Sequence, residues 1–104
     1  MQESEVTMKA VFIVYNQAYN QELVELLGRH GQRGYTVWQE IGGRGSETGD
    51  PHLGSHAWPT QNHALFTVVD NDLVEGLMEE LRSTDRDNPK LGLRAWVLPV
   101  EEAL

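Results

Sequence analysis

Apolar positions in this chain fall in four short runs, separated by two stretches of helical period and one long stretch with no period. In residues 8–15 (MKAVFIVY) both alternating sets, Val11/Ile13/Tyr15 and Ala10/Phe12/Val14, are apolar, which predicts a strand covered on both faces. Tyr19, Leu23, Leu26, Leu27 and His30 then recur at helical spacing, with Asn16 or Asn20 to cap the helix and Gly31 to stop it. His30 stands where an imidazolium complements the helix dipole, a structural role. Residues 35–41 (YTVWQEI) alternate Tyr35/Val37/Gln39/Ile41 against Thr36/Trp38/Glu40 and predict a second strand, more exposed on one face. Residues 64–69 (ALFTVV) predict a third strand, apolar on both faces. Asp70 and Asn71 offer an N-cap to a second helix with Leu73, Val74, Leu77, Met78 and Leu81 on one side, ended by the polar run 83–89. Residues 91–100 (LGLRAWVLPV) predict a fourth strand, whose Pro99 confines its tail to an edge or an exit. Residues 1–7 are polar and aperiodic and predict a disordered tail, leaving one domain over 8–104.

The order β-α-β-β-α-β predicts an α+β, ferredoxin-like fold: a four-stranded antiparallel sheet with both helices on one face and a long loop between the second and third strands. Three of the strands are apolar on both faces, so the uncovered face leaves a larger patch than a soluble monomer normally tolerates. Self-association over that face into a closed cyclic oligomer is the economical solution.

Charge and composition narrow the partners. Sixteen acidic against eight basic side chains give a formal charge of −8, which repels a phosphate polyanion and argues against nucleic acid. The chain has no cysteine, hence no disulfide framework and no thiolate metal site, and it has no signal-like segment or long apolar run. The expectation is a cytoplasmic protein with no direct membrane insertion.

The aperiodic stretch 42–63 (GGRGSETGDPHLGSHAWPTQNH) is long for a connection in a small domain, and such connections are usually functional or disordered. Its first half is small and polar; its second half carries stiff and bulky groups in Pro51, Leu53, His56, Trp58 and Pro59. His52, His56 and His63, with Asp50 or Glu47, form a nitrogen and oxygen donor set suited to a divalent metal such as zinc or nickel. The competing reading packs His56 and Trp58 into a neighbouring subunit and hydrogen-bonds His63 at a strand end. The enzymatic alternative is a small ferredoxin-like enzyme of the cofactor-free monooxygenase type, with Trp, His and Asn lining a pocket between sheet and helices. Against it, the candidate polar residues lie in the long loop, whereas Trp38 and Trp96 sit on strands as core or interface aromatics.

Residues 31–45, GQRGYTVWQEIGGRG, resemble the G-x-x-G-x-T-V stretch leading to a G-x-G pair in PII-like signal-transduction proteins, and 51–59, PHLGSHAWP, resembles the loop signature of a short PII-like branch. The resemblance implies a non-enzymatic regulatory or sensor protein: a homotrimer that binds a small effector in intersubunit clefts and signals through the 43–60 loop. The implied partner is a regulatory protein or a membrane transporter. It further implies an adenine nucleotide at Gly43, Arg44 and Gly45 on the loop base, with Thr36 and Val37 on the adjoining strand and Lys90 in the turn before the last strand. The chain departs from nitrogen-regulatory PII proteins in that turn, where residues 88–92 (NPKLG) replace a glycine-lysine pair. It also lacks the arginines that follow the last strand and the tyrosine that such proteins modify. These departures weigh against ATP and favour a monophosphate, a diphosphate or a different effector.

Overall fold

The computed structural model describes residues 7–32, 34–44, 51–52 and 61–104. Strand β1 (Met8–Asn16) is central in a four-stranded antiparallel sheet. On one side it pairs with β5 (Asn62–Asp70) over its whole length, and on the other with β6 (Arg94–Pro99). Strand β2 (Thr36–Ile41) lies beyond β5, giving the order β2-β5-β1-β6. Helix α1 (Asn20–Arg29) connects β1 to β2 and helix α2 (Asn71–Asp87) connects β5 to β6, which is the expected ferredoxin-like arrangement. The 42–63 stretch is not all irregular: β3 (Gly43–Arg44) and β4 (Pro51–His52) pair as a separate antiparallel ribbon.

Register assigns the two faces, since residues directly opposite across a ladder share a side. Val11, Ile13 and Tyr15 of β1 stand opposite Thr67, Leu65 and His63 of β5. Together with Val69 they pack under Leu23, Leu26 and Leu27 of α1 and Leu77 and Leu81 of α2, all buried. The leucine spacing on each helix is what turns one stripe toward the sheet. Truncating a leucine of this cluster to alanine costs about 2–5 kcal/mol.

On the opposite face Ala10, Phe12 and Val14 line up with Val68, Phe66 and Ala64 of β5 and with Leu98, Trp96 and Arg94 of β6. Trp38 joins them from β2 by pairing with Ala64. The Phe12 ring centroid lies 6.0 Å from that of Trp38 and 6.0 Å from that of Trp96, so an aromatic strip crosses the sheet. Trp38, Trp96 and Leu98 remain 48%, 49% and 48% exposed, which leaves the apolar open face that the doubly apolar strands predict.

Several boundaries differ from the sequence expectation, each for a local reason. Asn16, not Asn20, caps the turn into the first helix: its Oδ1 accepts from the Ala18 amide at 2.9 Å, and a 3₁₀ turn (Gln17–Tyr19) precedes α1. Asn20 Oδ1 instead accepts the Tyr15 hydroxyl at 2.6 Å. The stop of α1 is the expected one: Gly31 ends it at φ +76°, with the amide of Gln32 donating back to Leu27 O at 2.9 Å. The side chain of Asp70 makes no cap; the Asn71 amide donates to Thr7 O at 2.8 Å, which fixes Thr7 against the start of α2. That helix runs through the polar residues Ser83 to Asp87 and stops at Asn88, whose Nδ2 donates to Thr84 O at 2.8 Å. The last strand starts only at Arg94, because Leu91 and Leu93 are buried in the core around Gly92 at φ +62°.

Candidate functional site

One end of the sheet collects the segments that the sequence marks for function. The ladders place Asn16 of β1 beside Asn62 of β5 and Asn62 beside Ile41 of β2, so the 42–61 connection leaves and returns at the end where β1 turns into α1. The turn before β6 is tied to the same end. Asn16 donates to it twice, its amide to Leu91 O at 2.8 Å and its Nδ2 to Lys90 O at 3.1 Å. A further tie runs from the Gln17 amide to Gln61 O at 2.9 Å. Asn16 and Asn62 are buried, so these polar groups hold the end of the sheet as a rigid platform while Lys90 itself is exposed.

The base of the connection contains a distorted strand end. Between Trp38 and Ile41 the ladder spans one residue more on β2 than on β5, which is a β-bulge. Glu40 sits in it at φ +57°, a left-handed conformation unusual for a non-glycine residue. The Gln61 side chain reaches the Glu40 carbonyl at 3.4 Å, bridging the outgoing and returning ends of the loop. Beyond the bulge Gly43 pairs with His52 and Arg44 with Pro51. Strained backbone of this kind gathers at ligand clamps and switch regions. No periodicity signals it, since glutamate by residue type gives no hint of a left-handed position.

The structure brings some of the predicted site residues together and separates others. Gly43, Arg44 and Lys90 belong to the same end of the sheet. Thr36 and Val37 belong to the start of β2, with Thr36 roughly 16 Å of strand from Ile41. Thr36 is exposed on the open face opposite Phe66, whereas Val37 packs against the helix-covered core. Gly45 lies outside the described residues. Arg94, which sequence reasoning does not single out, starts β6 within the same turn region as Lys90 and is exposed.

His63 stands opposite Tyr15 on the helix-covered face, 9% exposed, with its ring edge-on to the phenol at a centroid distance of 6.0 Å. Its Nδ1 is buried and has no hydrogen-bond partner among the described residues. Burial, reinforced by the nearby Tyr35, pushes the Tyr15 hydroxyl up to about 12. His52 enters the ribbon as the partner of Gly43, and His56, Asp50 and Glu47 lie outside the described residues. Among the described residues no group of three or more His, Asp or Glu side chains is placed to hold a metal ion. No described helix is long and apolar enough to cross a membrane.

Comparison with known proteins places this geometry. The family model for nitrogen regulatory protein P-II matches residues 8–104. A nitrogen regulatory PII-like protein from Thiomonas intermedia K12, solved bound to ADP, AMP and bicarbonate, superposes with a TM-score of 0.74 at 19% identity, over 92% of this chain and 94% of that one. A putative PII-like signaling protein from Thermus thermophilus superposes at 0.62 with 28% identity, over 86% of this chain and 83% of that one. A DUF3240 family protein from Shewanella baltica OS155 gives 0.65 at 16% identity, over 94% of each chain. No curated protein matches.

Proposed function

The chain belongs to the nitrogen regulatory protein P-II family, and from that premise we propose that it is a non-enzymatic effector sensor, a homotrimer that takes an adenine nucleotide at the base of its 42–61 connection. The observation that carries this reading is that the Gly43–Arg44 ribbon, which continues from β2 past Ile41, and the Asn16-anchored Lys90 turn leave the same end of the sheet. Backbone amides of a glycine-rich ribbon and a lysine are the donors that phosphate oxygens need. The ADP and AMP bound to the Thiomonas protein support a nucleotide of few phosphates. Thr36 and Val37 join the site less directly: Val37 through the core behind β2, and Thr36 from the open face toward a neighbouring subunit.

Closure of the open face supports the trimer, because the Trp38-Phe12-Trp96 strip is the surface a second and third copy would bury. Signalling then follows from the bulge. Glu40 in its left-handed conformation sits between the sheet and the ribbon, so a ligand that contacts the ribbon biases which conformation the connection presents to a partner protein. The monooxygenase alternative is the less supported reading, because among the described residues the centre of the layer between sheet and helices is packed with Val11, Ile13, Leu23, Leu27, Leu65 and Leu77. A divalent metal held by His52, His56 and His63 is the less supported effector, because His63 is packed against Tyr15.

A thermal-stability screen on protein of measured mass tests the proposal. AMP or ADP raises the midpoint in proportion to the logarithm of ligand concentration, without being consumed, and zinc or nickel does not. Stabilisation by zinc or nickel alone would overturn the nucleotide reading in favour of the histidines.

A further inference from the structure

Among the described strand residues, the open face of the sheet carries a single cationic side chain, that of Arg94 at the start of β6. The ladders set Arg94 opposite Val14, Val14 opposite Ala64 and Ala64 opposite Trp38, so these four form one row from the β6 edge to the β2 edge. Both ends of the row are exposed, while Ala64 between them is buried. Arg94 Nη1 donates to the neighbouring Leu93 O at 2.7 Å, and among the described residues no carboxylate pairs with the guanidinium. Trp38 of the same chain is out of its reach, since the two edges lie three strand spacings apart, roughly 14 Å.

The homotrimer proposed above covers this face, and the following step rests on that reading. A guanidinium covered without a partner is strongly destabilising, so the contact that closes the face has to offer Arg94 one. An isologous contact along β6 sets Arg94 against the Arg94 of a second copy, like charge against like. A head-to-tail contact sets the β6 edge of one copy against the β2 edge of the next. The order β2-β5-β1-β6 is antiparallel at every step, so β6 runs opposite to β2 and the next copy's β2 continues the alternation. Copies that meet along these edges are related by rotation about an axis along the strands, which keeps each row at its own level. Arg94 then arrives at the level of the neighbouring copy's Trp38, whose indole is 48% exposed at the β2 edge.

We propose that in the assembled protein the Arg94 guanidinium of each copy lies on the indole of the neighbouring copy's Trp38, a cation–π contact that selects the head-to-tail arrangement. Tryptophan is the strongest aromatic partner for a cation, the planar guanidinium stacks on its face, and the contact strengthens as water is excluded. Arg94 and Trp38 are complementary only between copies, which turns a non-directional apolar face into one with a defined neighbour.

Subunit exchange of the full chain tests this, with ¹⁵N-labelled and unlabelled protein mixed and the mixed trimers followed by native mass spectrometry. Arg94→Gln and Trp38→Leu should each exchange about tenfold faster than the parent, and Arg94→Lys, which keeps the charge, within about threefold of it. In the Trp38→Leu background Arg94→Gln should have no further effect, which separates the contact from the apolar area lost with the indole. Exchange at the parent rate in Arg94→Gln, or an equal effect of Arg94→Gln with and without Trp38, overturns the proposal. It is also overturned if Arg94→Gln exchanges like the parent but no longer takes ADP, which would assign the guanidinium to the ligand. A monomeric parent removes the trimer reading and this contact together, whereas a trimeric parent whose variants show no coupling removes this contact alone.

Discussion

Asn16 Nδ2 donates to the main-chain oxygen of Lys90 at 3.1 Å, across 74 positions of sequence. The same side chain accepts the Ala18 amide, so one buried residue caps the turn into α1 and anchors the turn that carries Lys90. Asn16→Ala leaves both groups without their partner and is expected to cost about 1–3 kcal/mol in urea unfolding. Loss of the Lys90 anchor should also weaken nucleotide-dependent stabilisation. Unchanged stability would show that the anchor carries no energy.

Glu40 occupies the left-handed region at the bulge. Glu40→Gly removes the side-chain penalty there and is expected to raise the unfolding free energy measured in urea, by about 1 kcal/mol before the glycine's unfolded-state entropy offsets part of it. A destabilised variant would mean that the side chain makes a compensating contact.

Glu80, midway along α2, ties that helix to the C-terminal end of α1, receiving the Arg29 guanidinium on Oε2 and the His30 Nε2 at 2.6 Å on Oε1. The Arg29 hydrogen bond first, then that of His30, holds its carboxyl below the ordinary 4.5. A carboxyl whose pKa is lowered by folding contributes stability above its unfolded value, and that contribution is lost as pH falls through the folded value. Glu80→Gln is therefore expected to be less stable than the parent at pH 7, with the gap closing below about pH 4. Urea midpoints for both proteins between about pH 7 and 3 check it, and a gap constant with pH would assign the effect to packing.

Trp38 and Trp96 flank Phe12 on the open face. Trp96→Glu places a charge at the centre of the proposed subunit contact and should shift the sedimenting species from trimer to monomer at micromolar concentration while leaving the helix-side core intact. A parent protein that sediments as a monomer removes the trimer from the account.

Much of the fold is legible in the sequence because the strands are apolar in both alternating sets and each helix keeps its leucines on one stripe. Val11, Ile13, Leu23, Leu27 and Leu77 all fall where that pattern puts them. The end of α2 is not legible: Ser83, Thr84 and Asp85 read as a loop, and only the fit of Asn88 onto Thr84 O shows where the helix stops. The β3–β4 ribbon is equally hidden, since a two-residue strand has no period and glycine and proline are among its members. The candidate site is legible as a loop base but not as a place, because Asn16 and Lys90 meet only through the sheet. His63 illustrates the limit, its donor chemistry visible in the sequence and its burial against Tyr15 visible only in the register.

The most direct measurement is isothermal titration of ADP into the assembled protein, in the parent and in Lys90→Gln. The account predicts saturable binding at one nucleotide per chain, weakened at least tenfold, about 1.4 kcal/mol, in the variant while its oligomeric mass is unchanged. Binding of equal affinity in both proteins, or no binding in the parent, would contradict it.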